Sequence, residues 1–406
     1  MALGPDFRRL WGAYAVSELG TALAMGALPL IATLVLNSPV LQVSLLSALA
    51  GVAGATLAVP LGPWIEFRRK RPVMIGADLL RFAALASIPA AAAIDRLTYT
   101  QLCLVAVAQA VGGIVFNAAG GAHLKSLVPA ADRGDANGRL EATFWTANSV
   151  GPPLGGVLIS WLGATVTVAA DGLTFLLSAF GVRRIRTPEP PPPARAPASR
   201  WRELTAGWHY ILTHADLRAL YLNSLVFGGC VMATAPLLAV WMLRDLGFQP
   251  WQYGLVLGVP CVGGVLGAML IRPLTRRYGQ RRMLLTFGAA RAVWLVFLPL
   301  AGAGVAGLVI ITGAQLALLI CAGAFNPTFA TYRMAATEDS HMARVMSAWS
   351  ISGQFARPLF IAAGGLVAAA TSARTALIGL AGLVLTSIVL LPWRPVRPRV
   401  EAPAGR

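Results

Sequence analysis

Long apolar runs separated by short polar intervals make up most of the chain. Twelve runs reach the roughly 20 residues that a helix needs to cross a hydrocarbon core. They are 10–36, 42–62, 73–94, 99–120, 142–162, 164–182, 219–241, 251–271, 283–303, 305–327, 347–368 and 373–392. The pattern predicts an all-α membrane protein with twelve transmembrane helices. Two intervals, Asn37 to Leu41 and the lone Gly163, are too short to hold domains. The longest, 183–218, contains Pro188-Glu189-Pro190-Pro191-Pro192-Pro193, which cannot be helix interior. The stretch from Trp201 to Ile211 that follows reads as an amphipathic segment on the membrane surface. The expected organisation is therefore a six-helix half over 1–182, a linker over 183–218, a second six-helix half over 219–392 and a tail over 393–406.

Composition agrees with this pattern. The 406 residues are 57% hydrophobic and 12% charged, against about 25% charged in soluble domains. A disordered chain, a collagen-like chain and an ordinary soluble enzyme are excluded. The formal charge is nonetheless +17, a value that by itself would suggest nucleic acid. Its distribution says otherwise. With the N-terminus in the cytoplasm, 27 of the 33 Lys and Arg fall in cytoplasmic segments. Three are external (Arg96, Arg244, Arg374) and three lie in spans (Arg81, Arg291, Arg357). This positive-inside asymmetry puts both termini in the cytoplasm of a bacterial cell, with the chain in its cytoplasmic membrane. The excess charge then lies against anionic headgroups, and no nucleic-acid partner is expected.

Several chemistries drop out. Cys103, Cys230, Cys261 and Cys321 each stand alone in an apolar run, as small buried hydrophobes do. The four histidines all lie in cytoplasmic segments. There is no metal-ligand cluster, no nucleophile–base spacing and no Walker A motif, so neither an enzyme nor an ATP-driven pump is expected. No cofactor and no metal is expected. The first apolar run extends past Leu36, too long for a cleavable signal.

The halves repeat each other. Glu66-Phe-Arg-Arg-Lys-Arg71 follows span 2, and Arg276-Arg-Tyr-Gly-Gln-Arg281 follows span 8. At an offset of 210, Arg71 falls on Arg281 and Arg81 on Arg291. Phe116-Asn117 and Phe325-Asn326 match at 209, and Pro152 and Pro358 at 206. Two six-helix repeats around a linker are the layout of a secondary transporter with its site between the halves.

These features resemble the major facilitator superfamily, and within it the twelve-span exporter branch that includes macrolide-efflux and enterobactin-exporter proteins. The family's loop motif, G-x-L-a-D-R-x-G-R-K, is met by Gly62, Glu66, Lys70 and Arg71, with Phe67 and Arg69 departing from it. Asp78-Leu-Leu-Arg81 follows, as in the branch. Arg8-Arg9-Leu-Trp11 and Arg344-Val-Met-Ser add to the likeness. Gly151-Pro152-Pro153-Leu154-Gly155-Gly156 matches the exporters' GPxxGG segment. Proline there bends the helix and glycine permits close helix contact. The span-4 motif R-x-x-Q-G-x-G keeps Gln109 and Gly112 but has Ala106 in place of arginine. The resemblance implies the major facilitator fold and proton-driven efflux by a monomer, the loop motif gating the inner face.

Six charged residues fall inside spans: Glu18, Asp78 and Asp171, with Arg81, Arg291 and Arg357. Each costs about 2.5–3.5 kcal/mol at the bilayer centre on insertion scales, so each is a functional candidate. Glu18 lies three residues before Thr21, where the family carries its span-1 acid; i and i+3 share a helix face. Glu18 is thus a candidate for proton coupling or substrate contact, with structural pairing as the alternative. The resemblance puts spans 1, 4, 7 and 10 around the cavity and spans 3, 6, 9 and 12 outside them. Asp78, Arg81, Asp171 and Arg291 are accordingly expected to make structural ion pairs or gating contacts, Arg81 with Glu18 or Asp171. Arg357, on flanking span 11, is a candidate for binding an anionic group.

The expected cavity residues are Glu18, Thr21, Met25, Gln109, Asn117, Asn223, Gln315 and Asn326, joined by Gln354. With Phe227 and Met232 they describe a weakly polar cavity. It suits a small amphipathic organic molecule, such as a drug, antibiotic or siderophore, better than a sugar or inorganic anion. The sequence reading is a secondary exporter. An inward permease or a lipid flippase of the same fold is the alternative, with a membrane enzyme or channel more remote.

Overall fold

A computed structural model describes residues 4–129, 132–189, 200–338 and 341–393. Pro190 to Pro193 and the tail beyond residue 393 lie outside the described residues. In the first half, α1 (Pro5–Leu23) continues into α2 (Ala27–Leu30). It is followed by α3 (Val40–Glu66), α4 (Lys70–Ala92), α5 (Tyr99–Leu127), α6 (Arg133–Leu162) and α7 (Ala164–Arg183). The linker carries α8 (Arg200–Thr213). The second half has α9 (Ala215–Val240), α10 (Pro250–Tyr278), α11 (Gln280–Val293), α12 (Gly304–Ala335), α13 (Met342–Ala370) and α14 (Ala373–Thr386).

Eleven helical segments among the described residues are long and apolar enough to cross a membrane. The helix at the fifth expected span, α6, is 30 residues long but less apolar, because Asn148, Gly151, Pro152, Pro153, Gly155 and Gly156 occupy its middle. It packs against α1, α7 and α10. Large apolar side chains such as Trp161, Val305 and Leu104 lie on the outer surface, where lipid replaces protein as their neighbour.

The 210-residue repeat is written in the backbone. Span 1 ends in a π-helical turn at Ile31–Val35 and span 7 in another at Trp241–Asp245. Ser38 N–H donates to Ala32 O at 2.8 Å, and Phe248 N–H donates to Met242 O at 2.8 Å. Span 1 is also interrupted by Gly26 at φ 82°, a left-handed conformation that glycine adopts without strain. Thr98 caps α5 by accepting from Gln101 N–H at 3.2 Å, and Ser372 caps α14 by accepting from Thr375 N–H at 3.0 Å.

The bundle has two unlike ends. The basic end carries the α3–α4 and α10–α11 loops and α8; the far end carries Gly163 and the π turns. Toward the far end, one buried apolar cluster draws on both halves, including Leu30, Ile31, Leu46, Leu237, Trp241 and Tyr253. At the basic end the clusters are separate, one around Phe7, Met74 and Phe116, the other around Ile211, Leu284 and Phe325. α8 belongs to the second half: Trp208 Nε1–H donates to Ser352 Oγ on α13 at 2.8 Å, and Gly207 passes Arg344 O so closely that a Cβ would lie 2.2 Å from it.

Candidate functional site

The first half encloses a cavity of about 350 Å³ lined by Thr21, Met25, Arg81, Gln109 and Asp171, among others. Arg81 comes from α4, which sequence reasoning places outside the cavity-lining helices. It enters because Gly112 on α5 has no side chain: a Cβ there would lie 2.5 Å from Arg81 Cγ. Its Nε–H donates to Gln109 Oε1 at 3.1 Å and its Nη2–H to Thr21 Oγ1 at 3.2 Å. Gln109 Nε2–H returns to Arg81 O at 2.9 Å, and the guanidinium lies 3.7 Å from the Phe175 ring centre. Span 3 thus supplies the cavity's arginine, held on the glutamine of span 4.

Arg81 makes no hydrogen bond or ion pair within 4.0 Å with Glu18 or Asp171, its expected partners. Its closest partners are neutral because Thr21 and Gln109 flank the guanidinium, and Asp171, Asp78 and Glu18 act on it through space. Asp171 is 6% exposed and opens onto the cavity, beside Thr174. Glu18 is half-buried, one turn nearer the basic end than the lining, and has no hydrogen bond among the described residues. Asp78 is fully buried, with neither carboxylate oxygen hydrogen-bonded; Ser178 of α7 lies against it. The first half thus gathers three carboxylates around one arginine.

The second half has a cavity of about 470 Å³, into which Arg291 reaches from α11. The guanidinium is sandwiched 3.9 Å from the Phe227 ring centre and 3.6 Å from that of Phe325. Its Nη2–H donates to Asn223 Oδ1 at 2.6 Å, and Asn223 is fixed in turn by donating to Ser387 O at 2.7 Å. Asn223 is 1% exposed: it holds the arginine and does not line the cavity. Asn326, Gln354 and Arg357 do line it, with Met232, Phe227, Phe329, Trp349 and Arg333. Two other expected cavity residues lie elsewhere: Asn117 is exposed and Gln315 half-buried, and neither lines these cavities. Arg81 and Arg291 are correspondingly cavity residues, not outer supports, because a long guanidinium side chain on a supporting helix reaches past a small neighbour or between rings. Phe175, Arg333, Phe329 and Trp349 were not singled out in the sequence; the spacing Phe325, Phe329, Arg333 on one helix face was the available signal.

The loop after span 2 is a knot of capping bonds. Gly62 lies within α3 and Glu66 ends it. Lys70 Nζ donates to the carbonyls of Ile65 and Glu66, each at 2.8 Å, and of Arg68 at 2.6 Å. The Glu189 carboxylate accepts from the Lys70 and Arg71 amides at the start of α4, the latter at 2.9 Å. Arg71 Nη2–H donates to Arg183 O at 3.0 Å, and its repeat mate Arg281 donates to Pro392 O at 2.8 Å. Each arginine ties the loop to the end of the last helix of its own half.

The GPxxGG segment seals the far end. A Cβ on Gly151 would lie 2.4 Å from Ala22 Cβ, and one on Gly155 would lie 1.8 Å from Leu23 O, within the same half. Across the halves, a Cβ on Gly156 would lie 2.7 Å from Pro250 O, and one on Gly254 would lie 2.3 Å from Pro152 O. On the other side of the bundle, Gly51 meets Pro358 and Gly365 meets Ser44. Arg244 Nη2–H donates to Thr33 O at 2.7 Å, and Trp251 N–H to Ser160 Oγ at 3.2 Å. These hydrogen bonds and closest approaches between halves run from mid-bundle to the far end.

The profile of the Major Facilitator Superfamily matches residues 10–319 and 220–406. The chain belongs to this family. It is 28% identical over 276 residues to the multidrug efflux pump Tap of Mycolicibacterium fortuitum, covering 65% of this chain and 66% of that protein. It is 28% identical over 184 residues to the staphyloferrin B transporter of Staphylococcus aureus, covering 44% and 43%. The match spans just under two thirds of the first relative and less than half of the second. A bacterial homologue of the iron transporter ferroportin in its inward-facing state has the same fold, with TM-score 0.75, 17% identity and coverage of 96% and 98%. The outward-facing structure of such a homologue gives 0.62. As a Major Facilitator Superfamily member, the chain is a multi-pass membrane protein with the fold of that family. Among the described residues no His, Cys, Asp and Glu group could hold a metal ion.

Proposed function

We propose that the chain exports a small amphipathic organic molecule across a bacterial cytoplasmic membrane, driven by the proton gradient. The carrying observation is the conjunction of two features: halves sealed at the far end through Gly156 and Gly254, and a buried Arg81 that shares its cavity with Asp171. With the basic end in the cytoplasm, as the positive-inside rule directs, the cavities face the cytoplasm and are ready to load. Rocking of the two halves about the central cavity exposes the cargo to the other side. Buried carboxylates near a single arginine can take up and release protons as the arginine's partners change. The similarity to Tap and to the staphyloferrin B transporter supports efflux of a drug or a siderophore. A monomer suffices, since each chain contains both halves and both cavities. No cofactor and no nucleic acid enters this reading.

The test is transport in proteoliposomes with an imposed pH gradient, using fluorescent amphipathic cargo. Cargo should accumulate on the proton-rich side and stop accumulating when an uncoupler is added. Accumulation that survives the uncoupler removes the proton from the mechanism. Accumulation on the opposite side makes the chain an importer.

A further inference from the structure

The two cavities differ in charge. In the first half, Arg81 shares its cavity with the Asp171 carboxylate. In the second, Arg291, Arg333 and Arg357 line one cavity, and among the described residues no carboxylate lines it. The described acids of that half lie elsewhere. Asp216 accepts from Tyr332, Asp245 lies in the far-end π turn, and Glu338 faces His341. None of the three arginines has an anionic partner among the described residues. Arg291 is 3% exposed with only Asn223 and two rings, and its Nε has no hydrogen-bond partner. Arg333 lies 5.2 Å from the Phe329 ring centre and 5.0 Å from that of Trp349, its Nε likewise buried and unpartnered. Arg357 makes no hydrogen bond or ion pair among the described residues and presents an open guanidinium to the cavity.

Uncompensated positive charge within a bilayer is costly, and an arginine fork with free N–H groups matches a carboxylate, sulfonate or phosphate in two-point geometry. The rings beside these arginines offer flat apolar surface next to the charge. We infer that the second-half cavity binds the anionic group of an organic anion whose apolar or aromatic body lies against Phe329 and Trp349. Arg357 is the primary contact, with Gln354 one turn away on the same helix as a neutral donor. This rests on the transport reading above and specifies its cargo: an organic acid, not a cationic drug.

The experiment is equilibrium binding to the purified full chain in zwitterionic-lipid nanodiscs, without a gradient, read by tryptophan fluorescence. The probes are 1-naphthylacetate, neutral 1-naphthylacetamide and cationic 1-naphthylmethylammonium. The acetate should bind at least tenfold tighter than the other two. Arg357→Gln should erase that preference and Arg357→Lys retain part of it; Arg357 is exposed, so folding is not at stake. A second nanodisc set containing phosphatidylglycerol distinguishes the source of the anion. Competition by the lipid assigns the cavity to a headgroup, and lack of competition assigns it to a soluble acid. Equal affinity for all three probes, or a preference for the cation, overturns the inference. A preference for the acetate that survives Arg357→Gln also overturns it. Because no gradient is present, this outcome is independent of whether export is proton-driven.

Discussion

Arg81 reaches the first-half cavity through the space that Gly112 leaves empty, with Arg81 Cγ 2.5 Å from where a Cβ on residue 112 would stand. The relationship joins two motifs that sequence alone keeps apart, the Asp-x-x-Arg of span 3 and the last glycine of the span-4 motif. It makes Gly112→Ala a displacement experiment. The methyl group forces the arginine stem aside, at a strain of about 1–3 kcal/mol, and breaks the bonds to Gln109 and Thr21. The expected outcome is a transport rate at least tenfold lower with normal membrane insertion. Transport within twofold of the parent chain would show that the arginine's placement is immaterial.

Arg81 makes two directional hydrogen bonds as well as carrying charge. A lysine ammonium supplies the charge but cannot span Gln109 and Thr21 with one planar group. Arg81→Lys should therefore lose most of the transport, about tenfold or more. Gln109→Glu, which keeps an acceptor oxygen and adds a charge, should retain folding but bind the arginine too tightly to cycle. Rates in proteoliposomes, normalised to inserted protein, check both.

Much of this architecture is legible in the sequence, and the reasons are physical. Spans are visible because a bilayer needs about 20 apolar residues and nothing else in the chain supplies them. The two-fold repeat is visible because Arg81 and Arg291 keep their offset, and the structure extends it to the paired π turns at Ile31–Val35 and Trp241–Asp245. What is not legible is direction. Helix number assigns Arg81 and Arg291 to outer supports, yet a long side chain crosses a helix width and ends in the cavity. Asn223 fails in the opposite sense: a cavity-lining span has several faces, and this one points to Arg291 and Ser387. Charge balance misleads too. Three acids and three arginines suggest pairs, but all the acids are in the first half and two of the three arginines are in the second.

Glu18 and Asp171 are separable by experiment. Asp171 opens onto the cavity beside Thr174, whereas Glu18 lies a turn away without a hydrogen bond. If both carry protons, Glu18→Gln and Asp171→Asn should each abolish uphill transport while leaving downhill exchange. The surviving exchange should be insensitive to external pH, unlike that of the parent chain. Uphill transport in Glu18→Gln would remove that residue from coupling and leave Asp171 as the candidate. Uphill transport in both variants would move the proton site to Asp78.

The loop after span 2 is tied to its own half by Glu189, which accepts from the first amides of α4. A carboxylate at a helix N-terminus is stabilised by the exposed N–H groups and the helix dipole. Glu189→Ala leaves those amides to water, at about 0.5–2 kcal/mol for a lost cap. The expected outcome is faster tryptic cleavage within the linker and a thermal midpoint lower by a few degrees. Probe binding in the second-half cavity should be unaffected. Unchanged proteolysis would show that the linker is held by other contacts.

The far-end seal predicts the conformational equilibrium. Gly156 and Gly254 let α6 and α10 meet backbone to backbone, and Arg244 adds a bond to Thr33 O across the halves. All of these contacts are lost when the far end opens, so weakening them lifts only the closed-end state. Gly156→Val places side-chain atoms where Pro250 O stands, 2.7 Å from the position of the first added carbon. The conformation observed here should then give way to one open at the far end. Spin labels at Ile94→Cys and Val305→Cys, one in each half near that end, should show a longer mean distance in Gly156→Val than in the parent chain. Arg244→Ala should produce a smaller shift in the same direction, since a single hydrogen bond contributes about 0.5–1.5 kcal/mol net. A distance distribution identical to the parent's in both variants would mean that the seal is set by apolar packing alone. The shared far-end cluster around Leu30 and Leu237 would then be the next target.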